Sequence, residues 1–273
     1  MVTFYFPAWQ GAGNKAVYHG AAAMQTLLTH QQVIQPEISL SEVLVKKNGI
    51  IGYDTILQQL SAARLLLAAQ SCTKMLTIGG GCDAEILPVS YLNQKYGGDL
   101  AIVWFDAHGD LNTPESSPSG LFHGMPLRCL LNEGDEQLGN QCFSYLQHHQ
   151  VVFACGRDFD APELIYMAEN IIPCIATEEL TDSHALCHTL AKKAYRRIYV
   201  HIDLDVLDPM EFPSVMCPTP GGISVQKLID TLYALHDGFD VVGIGIVEYV
   251  PGHGGCDHTL QSIIACCEDI LAK

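Results

Sequence analysis

Basic residues are scarce in this chain. Only 14 Lys and Arg stand against 30 Asp and Glu among 273 residues, a formal charge of −16. This balance argues against the clustered positive surface that nucleic acids or anionic membranes require. No stretch approaches the ~20 apolar residues of a membrane span. The opening MVTFYFPAWQGAG lacks a basic segment followed by an apolar run of signal-peptide length. A cytoplasmic location is the expectation. Repeats, low-complexity tracts and Pro/Gly/Ser-rich linkers are missing too, and the clearest surface loop is NTPESSPSG at 112–120. A single domain over 1–273 follows, and a chain 48% hydrophobic can bury one large core. Cysteine is abundant, with 11 residues, but they fall in apolar stretches such as VVFACG and IIACCED without framework spacing. That reads as reduced, buried thiols rather than a disulfide scaffold.

What the sequence does have is a set of short apolar, β-branched runs ending in Gly or an acid: MLTIGG (75–80), LAIVWFD (100–106), VVFACG (151–156), RIYVHID (197–203) and VVGIGIVE (241–248). Runs apolar on both faces are how parallel strands covered by helices on each side read. Between them lie helical patterns at 54–71, 84–95, 183–195 and 224–237, and a closing helix near 258–271. Alternation of strand and helix predicts an α/β fold: a three-layer αβα domain on a mostly parallel, doubly wound sheet.

The chemistry gathers where the strands stop. In WFDAHGD, Asp106, His108 and Asp110 are spaced two apart, and in HIDLDVLDP so are Asp203 and Asp205. On extended chain each set points to one side. Open parallel sheets place ligands beyond the carboxyl ends of their strands, so the two sets converge on one site. A lone strand-end Asp is usually a helix cap or a turn residue, and a lone His a satisfied core or surface residue. Four carboxylates and an imidazole in two such sets are different, because that much like charge costs several kcal/mol to gather unless a cation compensates. Hard oxygen donors with one or two imidazoles favour Mn, Mg or Fe over a closed structural zinc. So many carboxylates suit two ions ~3.5–4 Å apart.

The segments FDAHGDLN, SGLFHGMPL and HIDLDVLDP resemble the signature motifs of the arginase, agmatinase and formimidoylglutamase family, and the likeness runs in order from QGAGNKAVYHGAA to VVGIGIVEYVP. The resemblance implies a metal-dependent amidinohydrolase holding two divalent ions, manganese first among them. Asp106, Asp110 and Asp203 would bridge or span the ions, while His108 and Asp205 each complete one shell. The family's remaining ligand is a histidine in GGDHS; here the stretch is GGGCDAE, with Cys82 in that place, Gly81 before it and Asp83 after it. A thiolate is softer and suits Zn or Fe(II) better than Mn. Cys82 is either a ligand of a modified site or a non-ligand beside a weakly held ion. Loss of catalysis is the less favoured reading, since the other metal positions are intact.

The resemblance also implies substrate roles. NTPESSPSGLFH is similar to the arginase branch, in which Asn112 and Ser119 would hold an α-carboxylate. GRDFDAPE would offer Asp160, and through water Asp158 or Glu163, to the α-amino group; the competing reading is that these acids cap the following helix. His123 resembles the family's proton shuttle and Glu248 the carboxylate that pairs with the guanidinium, while Asp110 would carry the proton to the leaving amine. The expected reaction releases urea and ornithine from arginine, or hydroxyurea from Nω-hydroxyarginine, a substrate of relatives with such loops. Agmatinase, proclavaminate-type amidinohydrolase and formimidoylglutamase activities share the metal motifs, and a non-catalytic binder of an arginine-like ligand is the reading from another class. The family forms trimers or hexamers; this chain stops near its last helix without an extended tail, so a monomer is allowed.

Overall fold

In a computed structural model of the chain, which describes residues 1–29, 32–181, 184–252 and 257–273, the apolar runs are strands of one sheet. They are β1 (Val2–Phe6), β2 (Val33–Ile34), β3 (Met75–Gly79), β4 (Ala101–Phe105), β5 (Val151–Ala154), β6 (Cys174–Ile175), β7 (Arg197–Asp203) and β8 (Asp240–Val247). Their order across the sheet is β2-β1-β3-β8-β7-β4-β5-β6, and every pairing in it is parallel. The expected mostly parallel sheet is thus parallel throughout. The antiparallel pair Lys46–Lys47 with Ile50–Ile51 stands apart from it.

The longer helices are α1 (Ala16–Thr26), α2 (Tyr53–Ala68), α3 (Ile86–Lys95), α4 (Ala161–Glu169), α5 (His184–Lys192), α6 (Val225–Gly238) and α7 (Asp257–Ala272). Ser224 starts α6 by accepting the Lys227 N–H at 3.2 Å. The expected helix from 183 begins at His184, Ser183 lying outside the described residues.

Successive side chains of each strand enter opposite layers. On one face Phe4, Phe6, Ile102, Trp104 and Phe153 pack with Leu60 of α2 and Leu92 of α3. On the other Tyr5, Ile78, Val103, Phe105 and Ile202 meet Met24 of α1, Leu190 of α5, Leu232 of α6 and Ile263 of α7. This is the three-layer arrangement, with the sheet buried on both sides.

The sequence reading misses β1 and α1, along with the two-residue strands; α4 is the helix that the capping alternative for GRDFDAPE required. VTFYF is as buried and β-prone as the runs that were recognised. It sits where a leader segment is looked for, and its apolar composition fits either. The four central strands, in the order β3-β8-β7-β4, stop together on one edge of the sheet, and that edge carries the chemistry.

Candidate metal centre and substrate cleft

Each central strand delivers one acid or thiol as it ends. Cys82 opens a helical turn after β3, Asp106 follows β4, Asp203 ends β7 and Glu248 follows β8. A single cleft is lined by Cys82, His108, Asp110, Asn112, Ser119 and His123 from the first half of the chain. Asp158, Asp160, Glu163, Asp203, Asp205 and Glu248 complete it from the second. Asp106 lies just behind this surface, fully buried. The residues singled out in the sequence are therefore brought together.

The His108 side is the more completely paired. Nδ1 of His108 lies 2.9 Å from Asp205 Oδ2 and 3.5 Å from Asp106 Oδ1. Burial opposes charge on this imidazole, but the two carboxylates outweigh it and raise its pKa far above the ordinary histidine value. Asp205 Oδ1 accepts the Ala107 N–H at 3.0 Å, and Asp106 Oδ1 accepts the His108 N–H at 2.6 Å. Asp205 is pushed up to about 6, by burial first and then by Asp106.

The Cys82 side carries surplus acid. The Cys82 thiol donates to Asp203 Oδ2 at 3.1 Å, and Asp203 Oδ1 accepts the Asp205 N–H at 2.8 Å. Burial, then neighbouring carboxylates, raise the pKa of Cys82, Asp110 and Asp203 well above ordinary values. Asp110 Oδ2, Glu248 Oε2 and Asp83 Oδ1 are buried with no hydrogen-bond partner. Unpaired buried carboxylate oxygens are costly unless something positive reaches them.

A cation fits this donor set. Ligand atoms of Asp106, His108 and Asp205 lie within 4.8 Å of one another, as do those of Cys82, Asp203 and Glu248, and those of Cys82, Asp106, Asp110 and His201. Two neighbouring ions would share Asp106, which belongs to both sides, as in binuclear hydrolytic centres.

Backbone detail supports the site. Asp110 and Glu248 have φ of 53° and 64°, the left-handed region that side chains seldom enter. Asp83 is held against Gly11 and Gly81, and a Cβ at Gly81 would come within 2.7 Å of Asp83 Oδ1 and 3.1 Å of Glu248 Oε1. Glu248 Oε1 accepts the Cys82 N–H at 3.0 Å and faces His123 Nδ1 at 3.1 Å. Burial opposes protonation of His123, yet Glu248 raises its pKa overall.

At the mouth, Asn112 Nδ2 donates to Asp160 Oδ2 at 2.8 Å, and Ser119 Oγ accepts the Leu121 N–H at 3.1 Å. Glu163 accepts the Leu111 N–H at 2.9 Å and the Asp160 N–H at 2.9 Å. It therefore does what the capping alternative described, tying the start of α4 to the loop after β4 while still lining the cleft. Asp158 is exposed, with Oδ2 3.8 Å from His108 Nε2. Ser117, Met216 and Cys217 also line the cleft; Ser117 belongs to the NTPESSPSGLFH segment, whereas Met216 and Cys217 carry no spacing or motif that could have flagged them.

The acids leave a thermodynamic signature. Asp83 and Glu163 are each pushed up to about 7, chiefly by burial. A carboxyl whose folded pKa exceeds its unfolded one gives stability at low pH that is lost as pH rises, here between about pH 4 and pH 7. With a chelator present, the melting temperature at pH 8 is expected to fall on the order of 5 °C below that at pH 5.5. Added manganese should close the gap by balancing the ionised cluster. Scanning calorimetry checks this, and equal chelated melting temperatures at the two pH values would contradict it.

Comparison with known proteins agrees with the geometry. The Arginase family model matches residues 11–271. The arginase of Bacillus subtilis (strain 168) is 31% identical over 205 residues, 72% of this chain and 69% of that protein. The arginase of Staphylococcus aureus (strain COL) is 26% identical over 238 residues, 84% of this chain and 78% of that protein. Among solved structures, Entamoeba histolytica arginase superposes with a TM-score of 0.85 at 21% identity, covering 99% of this chain and 96% of that one. With residues 11–271 matched by the family model and a relative 31% identical over 72% of its length, the chain belongs to the arginase family.

Proposed function

We propose that this family amidinohydrolase acts on an arginine-type α-amino acid, cleaving its guanidino group to yield ornithine and urea. The observation that carries the reading is the unpartnered Glu248 Oε2, buried in the same cleft as the unpartnered Asp110 Oδ2. One is a seat for a guanidinium and the other a proton acceptor. A guanidinium is planar and permanently charged, so a carboxylate both holds and orients it.

Asp106, His108, Asp205, Asp110, Asp203 and Cys82 would hold two divalent ions, with manganese proposed for the His108 side. When bound, the pair supplies a nucleophile at neutral pH by acidifying water. Asp110 takes up the proton released by the attacking water and delivers it to the leaving amine, which cannot depart as an amide anion. His123, beside Glu248 and partly exposed, exchanges protons with solvent. Asn112 and Ser119 bind the α-carboxylate. Asp160, with Asp158 or Glu163 acting through water, receives the α-amino group.

The test is urea release from L-arginine against agmatine, which lacks the carboxylate, using protein loaded with manganese. Asn112→Ala and Ser119→Ala are each expected to raise KM for arginine about tenfold, with kcat within a factor of about three. Unchanged KM in both variants would remove the carboxylate assignment. Cys82, in place of the family's histidine, favours a second substrate, Nω-hydroxyarginine, whose less basic group asks less of the ion pair. A clear kcat/KM preference for arginine over the hydroxylated compound would dismiss it. We place the enzyme in the cytoplasm, in keeping with the absence, among the described residues, of a helix long and apolar enough to cross a membrane.

A further inference from the structure

Beneath the centre lies a buried pair that the proposed reaction does not use. His201 precedes Asp203 by two residues on β7, so the two side chains leave the same face of the sheet. Its ring stacks on Trp104, with centroids 3.6 Å apart and planes 13° from parallel. Nε2 faces Asp106 Oδ2 at 3.7 Å, and Nδ1 faces Glu85 Oε2 at 3.5 Å. Both gaps exceed the ~2.7–3.2 Å of a direct hydrogen bond. Neither His201 nitrogen and neither Glu85 carboxylate oxygen has a hydrogen-bond partner, although both residues are 0% exposed.

The neighbourhood is built to keep that carboxylate. A Cβ at position 245 would overlap both Glu85 oxygens, so the slot exists because Gly245 lacks one. An imidazole and a carboxylate left without hydrogen bonds inside a sheet cost more than an apolar pair of the same volume. Their placement is explained if the imidazole has a partner other than protein.

Ligand atoms of His201, Cys82, Asp106 and Asp110 all lie within 4.8 Å of one another. Two donors each ~2.1 Å from one ion and ~120° apart are themselves ~3.6 Å apart. The separation of His201 Nε2 from Asp106 Oδ2, 3.7 Å, is close to that edge. A ligating histidine characteristically gives its other ring N–H to a carboxylate, which fixes its tautomer and orientation. Glu85 stands on that side of the ring.

We propose that His201, through Nε2, is a ligand of the ion on the Cys82 side, with Glu85 as its positioning carboxylate. This rests on the binuclear reading above. The strand β7 then returns an imidazole to a shell whose expected histidine is Cys82. A shell of one thiolate, one imidazole and two carboxylates selects a softer ion, Zn, Fe(II) or Co(II), whereas the His108 side stays hard. The two positions would differ in metal preference.

The test is X-ray absorption at the zinc edge on full-length protein loaded with two equivalents of zinc, alongside metal analysis and calorimetric titration. Two imidazoles and one sulfur per two ions are expected, with one imidazole lost in His201→Gln. Glu85→Gln should weaken one of the two zinc-binding events about 10–100-fold while leaving the imidazole count at two. If the unmutated protein binds two ions with only one imidazole, His201 is not a ligand and the binuclear reading stands. If it retains fewer than two ions, the binuclear reading fails and this proposal with it. The imidazole count on the unmutated protein needs no variant to fold.

Discussion

Replacing Asp110 with Asn is expected to cut kcat about 10²–10⁴-fold, the range of a lost general acid–base group. Asn tolerates the left-handed backbone that position 110 adopts at φ 53°, so the fold should survive the exchange. The side chain keeps its size and one oxygen but loses the basicity of Oδ2. Burial, with Asp106 and Glu163 next, raises the carboxyl's affinity for a proton, which suits a group that must take one up and hand it on. Urea release measured beside metal content separates the two duties of this residue. A rate that falls while two ions are retained identifies the proton carrier, and a rate within tenfold of the parent's would refute that role.

Glu248→Gln should lower kcat/KM for arginine about 10²–10⁴-fold, as breaking one side of a buried charge pair costs ~3–5 kcal/mol. The amide oxygen can still accept the Cys82 N–H that Glu248 Oε1 accepts at 3.0 Å, so local structure is kept while the charge facing the guanidinium is removed. A second readout follows from His123, whose pKa Glu248 raises against the pull of burial. The limb of the pH–rate profile belonging to His123 should move to lower pH in the variant. An unchanged kcat/KM would mean that the guanidinium binds elsewhere.

The two period-2 sets, Asp106/His108/Asp110 and Asp203/Asp205, were legible because strand geometry converts even spacing into a shared direction. Their meeting was legible because parallel strands put ligands at one edge. His201 obeys the same spacing relative to Asp203, yet was absorbed into the apolar reading of RIYVHID. Only its separation from Asp106 and Glu85, both distant in sequence, distinguishes it from a core histidine. Glu163 shows the reverse case: its sequence neighbourhood admitted both a cap and a binding group, and its two carboxylate oxygens bond the backbone of Leu111 and Asp160. Cys217 and Met216 come from an irregular segment whose path depends on long-range packing, which no local pattern encodes. The first strand escapes the sequence reading because a short buried strand and the apolar part of a leader have much the same composition.

The ions' would-be ligands sit at the ends of adjoining central strands, whereas Asn112, Ser119, Asp158 and Asp160 stand on connections that leave those strands. Under the proposed roles, water activation and substrate choice would be written in different stretches of the gene. Segment 157–160 is tied to the centre, since the Arg157 and Asp158 N–H groups donate to the Ala107 carbonyl at 2.8 Å and Arg157 Nη2 to the Asp205 carbonyl at 2.7 Å; the loop 112–120 is therefore the place where such a scaffold is expected to diversify toward a new guanidine.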